Sequence, residues 1–360
     1  MLEIEFLEQN KWLQGGFSLE HNWLLYLAGF SIAFAVSMLM TPFAKKIAFK
    51  LKAIDYPKSR GLNKEPMPRI GGLAIFLGFL ASVGILAFFV EDFHTKQFFG
   101  FLTGGILIVI LGIFDDIYEL SPKIKFIIQL LVAIIVVSTG TRIDVMSWPF
   151  WQYLRPFNTI ITMVWIIGLV NAVNLIDGVD GLAAGVSSIA SLCLMILCII
   201  SGSNLAVVLT AILAGSCLGF LPRNFSPAEI YMGDTGSTFL GYVLAVTSCI
   251  GVYKSYAVLS IVISILAVAL PILDTLFAMI RRAINRKPLM SADRGHLHHR
   301  LIDSGYSHKQ AVIILYGLSL FSAIIAILIA IQNYQATIVV FIFFLILTLM
   351  MYVYKSRTQN

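Results

Sequence analysis

Apolar stretches about as long as a bilayer is thick recur through this chain, and they leave few ways for it to fold. Eleven can be marked, at about 23–43, 70–90, 97–114, 124–140, 157–174, 181–200, 204–221, 235–252, 256–280, 309–331 and 335–354. Each is close to the ~20 residues that a helix needs to cross ~30 Å of hydrocarbon. With 59% hydrophobic and only 12% charged residues, the chain is too apolar for a soluble domain of its size. The expected fold is therefore an all-α integral membrane protein of about eleven transmembrane helices, a single polytopic domain spanning 1–360.

Orientation follows from the positive charges, which are retained in cytoplasmic loops. Placing the C-terminus inside and the N-terminus outside puts twenty Lys and Arg residues on the cytoplasmic side and leaves five outside: Lys11, Lys96, Arg142, Arg155 and Lys254. The net charge of +6 is then a consequence of topology and of anionic lipid headgroups, and nothing points to nucleic acid. Glu3, Glu5 and Glu8 reverse the basic start of a signal peptide, so the first span is expected to be retained. Cys193, Cys198, Cys217 and Cys249 sit in apolar runs without metal-ligand spacing, as buried packing residues do. Trp148 and Trp151 suit an outer interfacial belt.

The polar residues concentrate in the inner connections. Asp115 and Asp116 end the third span and are followed by Lys125. Adjacent carboxylates repel unless a cation or proton lies between them, which suits Mg²⁺ binding or a raised pKa for base work, with Lys125 on a phosphate. The plain alternative is a helix that simply ends in water. Asn174, Asp177 and Asp180 fall in one glycine-rich turn, where an ordinary connection would not need two carboxylates at the edge of hydrocarbon. The ligand series of an EF-hand is absent.

Asn224 and Tyr231 precede Gly233-Asp234-Thr235-Gly236-Ser237, where Asp234 is either a helix N-cap or part of an anion site. His296, His298, His299 and Arg300 form the last cluster. Its histidines could ligate zinc, but the surrounding carboxylates favour a hard ion, leaving these groups for phosphate or sugar. Asp274 lies inside a span, as a contact between helices or as a catalytic group.

These signatures, Asp115-Asp116, Asn174-Leu-Ile-Asp177-Gly-Val-Asp180-Gly-Leu-Ala, Gly233-Asp234-Thr-Gly-Ser237 and His296-Leu-His298-His299-Arg-Leu, occur in the order that resembles the polyprenyl-phosphate N-acetylhexosamine-1-phosphate transferase family. The resemblance covers nearly the whole chain. It implies transfer of a sugar 1-phosphate from a UDP-sugar to a membrane polyprenyl phosphate, usually undecaprenyl phosphate, with release of UMP and dependence on Mg²⁺, with Mn²⁺ as a substitute. The form of the histidine motif resembles the branch that uses UDP-GlcNAc rather than UDP-MurNAc-pentapeptide. Such enzymes start lipid-linked cell-envelope glycans at the cytoplasmic face of the cell membrane, and a homodimer is an admissible assembly.

By the same resemblance Asp234 and Asp116 are metal ligands, and Asp115 and Asp116 act on the lipid phosphate while Lys125 holds phosphate. Asn174 and Asp177 line the nucleotide site. Asp180, Asn224 and Tyr231 map onto the uracil pocket, and Lys64 reaches in from the segment before Pro66. Asn63 stands where many GlcNAc-type members carry histidine, so it is given no role. The expected chemistry is direct attack of the lipid phosphate on the β-phosphate with Asp115 as base, and an aspartyl intermediate is the alternative route. A secondary transporter is the rival from a different class. It would need a midplane site between symmetric broken helices, whereas these carboxylates gather at one end of the spans.

Overall fold

A computed structural model describes residues 19–56, 66–143, 156–251, 265–266, 268–284 and 297–344. Lys64, Trp148, Trp151 and His296 lie outside these residues. The described chain is helical apart from one small antiparallel pair. In order the elements are α1 (Leu19–Leu51), β1 (Ile54–Asp55), β2 (Met67–Pro68), α2 (Gly72–Leu86), α3 (Lys96–Tyr118), α4 (Pro122–Ser138), α5 (Asn158–Ile176), α6 (Leu182–Ser201), α7 (Asn204–Asn224) and α8 (Gly233–Gly251). After these come α9 (Ala269–Ile284), α10 (Leu297–Asp303) and α11 (His308–Ala330), then α12 (Tyr334–Phe344).

Among the described residues, six helices are long and apolar enough to cross a membrane: Trp23–Leu51 within α1, and α3, α5, α6, α7 and α11. Gly72–Leu86 and Tyr334–Phe344 are shorter apolar helices. The protein is an all-α membrane protein at this level. Two of the bounds that differ from the expected spans are extensions at a helix's C-terminal end. Helix α1 continues past residue 43 to Leu51 despite Pro42, and α3 runs on to Tyr118, so Asp115 and Asp116 are in its last turn rather than beyond it. The β1–β2 pair, with Ile54 opposite Pro68 and Asp55 opposite Met67, is not visible in hydropathy. It is too short to alternate.

Burial sorts the helices into centre and periphery. Every residue from Leu205 to Cys217 of α7 and from Thr235 to Cys249 of α8 is buried. Around them, α1 packs on α7, α3 and α5 pack on α8, and α6 packs on α7. Phe88, Leu39, Val164 and Ile127 are mostly exposed, an arrangement suited to lipid and costly in water.

Lipid gives apolar faces no reason to associate, so close backbone approach and polar contacts carry the packing. A Cβ on Gly215 would stand 2.2 Å from the Phe30 carbonyl oxygen, and one on Gly219 the same distance from that of Phe34. Hydrogen bonds add to this, from Ser37 Oγ to the Ser216 carbonyl at 2.8 Å and from Tyr242 Oη to the Phe101 carbonyl at 2.7 Å. Asn171 Nδ2 donates to Gln129 Oε1 at 2.7 Å. The four cysteines are free and buried, as expected of packing residues.

Candidate active site

The site is built where the last turn of α3, the start of α4 and the first turn of α8 meet. Pro122 occupies the first turn of α4, where a missing N–H costs nothing, and this start places Lys125 one turn inside. Its Nζ contacts Asp115 Oδ2 and lies 2.8 Å from Asp234 Oδ2. One ammonium thus bridges two carboxylates that are 119 residues apart in the sequence (234 − 115). Asp115 also accepts the Leu120 N–H at 2.8 Å, which fixes its rotamer.

Asp116 has a different task. Its Oδ1 accepts the Asp234 N–H at 2.9 Å, and its Oδ2 accepts both the N–H and the Oγ1–H of Thr235, at 2.9 and 2.7 Å. A carboxylate on the free N–H groups of a helix start satisfies orphan donors and matches the helix dipole. Arg69 Nε stands 3.5 Å from Asp116 Oδ1, and the Asp116 side chain has no exposed surface. Here the expected metal ligand Asp116 serves the backbone at the start of α8. Both of its oxygens are engaged in holding the start of α8.

The backbone there is held as tightly. Gly233 has φ +72°, a conformation that glycine adopts without strain, and a Cβ on it would lie 1.8 Å from the Arg69 carbonyl oxygen. Tyr231 N–H donates to the Pro68 carbonyl, and Gly71 and Gly72 N–H donate to the Tyr231 and Met232 carbonyls, each at 2.8 Å. The segment before α2 is thereby stitched to the segment before α8. A Cβ on Gly112 would meet Thr235 Cα at 2.4 Å, so α3 also crosses here at backbone distance.

The other expected residues divide. Asn174, near the end of α5, donates to Ser237 Oγ at 2.9 Å and stands beside the Asp234 carboxylate. Asp177 caps the end of the same helix. Burial first, then the charges of Asp234 and Asp116, push its carboxyl well above the usual range. The negative end of the α5 dipole acts in the same sense. Asp180 and Asn224 are engaged with backbone, Asp180 Oδ2 accepting the Ala228 N–H at 3.1 Å. Asn224 accepts the Gly181 N–H at 3.2 Å and donates to the Ile230 carbonyl at 3.0 Å. Asn224 is buried, and its amide braces this turn at both ends.

His299 and Arg300 lie on α10, with His299 half-buried and Arg300 exposed. Helix α10 is tied to α9 by Asp274, whose Oδ1 accepts the Leu297 N–H at 2.8 Å. Asp274 is thus a tether between helices. Arg69 was missed as a site residue. Its only signal in the sequence is a positive charge immediately before Ile70-Gly71-Gly72.

Among the described residues no three His, Cys, Asp or Glu side chains form a ready metal cage. What they provide is two hard oxygen donors, Asp115 and Asp234, already facing one cation. Mg²⁺ commonly uses one or two carboxylates, with water and substrate phosphates completing its octahedron, and the donor set fits that habit.

Residues 98–252 match the family model described as Glycosyl transferase family 4. That region contains Asp115, Asp116, Lys125, Asn174, Asp177, Asp180, Asn224, Tyr231 and Asp234. The chain is 40% identical over 312 residues to the probable undecaprenyl-phosphate N-acetylglucosaminyl 1-phosphate transferase of Bacillus subtilis (strain 168), covering 86% of each chain. It is 33% identical over 324 residues to the decaprenyl-phosphate N-acetylglucosaminephosphotransferase of Mycobacterium leprae, covering 81% of this chain and 80% of the relative. A more distant relative is the undecaprenyl-phosphate alpha-N-acetylglucosaminyl 1-phosphate transferase of Yersinia pestis, 27% identical over 305 residues, 81% of this chain and 79% of the relative.

Proposed function

This chain belongs to glycosyl transferase family 4, and on that premise we propose that it transfers GlcNAc-1-phosphate from UDP-GlcNAc to undecaprenyl phosphate. An oxygen of the lipid phosphate attacks the β-phosphorus of the donor, and the bond from that phosphorus to the bridging oxygen breaks. UMP leaves, and undecaprenyl-diphospho-GlcNAc remains in the membrane. The observation that carries the reading is the Lys125 bridge between Asp115 and Asp234, a cation-centred carboxylate pair in a chain whose relatives are named for phosphosugar transfer to polyprenyl phosphates.

Joining two phosphates requires neutralised charge and in-line placement more than covalent help from the protein. Mg²⁺, or Mn²⁺ in its place, would be held by Asp234 with Asp116 or Asp115 and would supply that neutralisation at the donor diphosphate. Lys125 orients the two carboxylates and offers its ammonium to a phosphate oxygen once substrate arrives. Asp115 takes a proton from the lipid phosphate. Asp116, with Arg69, fixes the position of Asp234 through the backbone. Asn174 and Asp177 would line the nucleotide site, and Asp180, Asn224 and Tyr231, with Lys64, would form the uracil pocket that the family resemblance implies. His296, His298, His299 and Arg300 would bind the sugar phosphate, as the family resemblance implies.

The chain crosses the cell membrane eleven times as a single domain of 1–360, N-terminus outside and C-terminus inside, with the site on the cytoplasmic face. The twenty-to-five distribution of Lys and Arg supports this arrangement. A homodimer is compatible with it. Purified protein given UDP-GlcNAc, undecaprenyl phosphate and Mg²⁺ should release UMP, and none when the lipid or the metal is withheld. UMP release independent of undecaprenyl phosphate would refute the acceptor assignment.

A further inference from the structure

Apart from the carboxylate cluster, α1 and the loop after α7 enclose a cavity of about 330 Å³ whose lining includes Lys45, Lys46, Phe49, Arg223, Glu229 and Ile230. Three cations face one carboxylate there. Glu229 Oε2 accepts from Arg223 Nη1 at 3.0 Å and stands 3.9 Å from Lys45 Nζ. Lys46 Nζ stands 5.7 Å from the centre of the Phe43 ring, a weak contact that does not neutralise it. The cavity therefore keeps a surplus of positive charge, and its walls at Phe49 and Ile230 are apolar.

The surface leading away from the cavity is apolar as well. Leu39, Phe43 and Ile47 follow one another at four-residue spacing on α1, at 64, 54 and 36% exposure, and that spacing aligns them in one stripe. Lys45 and Lys46 flank the stripe between Phe43 and Ile47. An apolar track flanked by a basic pocket, toward the end of a membrane helix, fits a molecule with acyl chains and an anionic head.

We propose that this cavity binds the phosphate of an anionic phospholipid, with Lys45, Lys46 and Arg223 around the phosphate and an acyl chain along Leu39, Phe43 and Ile47. The phosphate competes with Glu229 for Lys45 and Arg223. The site is separate from the Asp115–Asp234 pair and does not depend on the transfer reaction.

The test uses full-length protein in phosphatidylcholine nanodiscs doped with phosphatidylglycerol, with bound lipid counted by native mass spectrometry. The double variant K45Q/K46Q should lose about tenfold in phosphatidylglycerol affinity, whereas K50Q/K52Q, which removes two lysines of the same region outside the cavity, should not. Glu229→Gln removes the competing carboxylate and should tighten binding severalfold. Equal phosphatidylglycerol retention by wild type and K45Q/K46Q, or equal retention of phosphatidylcholine, would overturn the site. Saturable binding of inorganic phosphate in undoped nanodiscs, lost in K45Q/K46Q, would assign the cavity to a soluble phosphate and overturn the lipid reading.

Discussion

The Asp116 carboxylate accepts both the backbone N–H and the side-chain hydroxyl of Thr235, so one acid of α3 sets where α8 begins. Asp234 inherits its position from that contact. Asp116→Asn keeps one acceptor oxygen and loses the other with the charge. It should lower stability by about 1–2 kcal/mol, as loss of a helix cap does, and reduce UMP release at least about tenfold. Thr235→Val, which loses only the hydroxyl bond, should cost about 1 kcal/mol with a smaller loss of rate. Thermal melts and initial rates on the two variants check the order.

Removing Lys125 leaves Asp115 and Asp234 facing each other without a cation. Lys125→Met should therefore melt lower than wild type in EDTA and regain more stability than wild type on addition of Mg²⁺, because bound metal supplies the missing charge. Its turnover should fall by about a hundredfold. A melt in which Mg²⁺ stabilises neither protein would remove the metal from this pair.

Asp177 should make the protein's stability depend on pH. Its folded-state pKa is raised above 3.8, chiefly by burial and then by Asp234 and Asp116, so the folded protein holds the proton more tightly than the unfolded chain. Ionisation therefore costs stability, and the cost develops as pH rises from about 3.8 through the raised value. Asp177→Asn, free of that cost, should melt about 2 °C or more above wild type at pH 8 without Mg²⁺. The gain should shrink as pH falls toward 4. Melting curves of both proteins across this range test the sign.

Two glycines separate tight backbone packing from open surface. Gly233→Ala places a methyl group against the Arg69 carbonyl at a positive φ and should cost more than about 2 kcal/mol, abolishing activity with it. On α2, a Cβ at Gly84 would meet nothing within 4 Å. Gly84→Ala should be neutral or stabilising by about 0.5–1 kcal/mol, and activity should be unchanged.

Asp274→Ala frees the Leu297 N–H and should loosen α10. KM for UDP-GlcNAc is then expected to rise by about fivefold or more, with kcat less affected. Proteolysis between α9 and α10 should become faster than in wild type.

What could be read from the sequence was whatever repeats locally or stands out chemically. Apolar runs announced the helices, and carboxylates at their ends announced a site, because each signal lies within about one span of chain. The division of work between Asp115 and Asp116 was hidden. They are neighbours in sequence, yet their side chains leave α3 in different directions, one to Lys125 and the other to the α8 backbone. The bracing of Gly181 and Ile230 by Asn224 was also hidden, since an amide reads the same whether its partner is substrate or backbone. Arg69 meets Asp116 from the segment before α2, and the stitching of residues 68–72 to 231–232 pairs positions more than a hundred and fifty residues apart; such pairing leaves no local pattern.

Methyl-tight crossings at Gly72, Gly112 and Gly233 mean that the ends of α2, α3 and α8 can shift only as one block. Under the proposed function, discrimination among sugar donors falls to the turns around that block, so that substrate preference can be retuned at the rim while the floor stays unaltered.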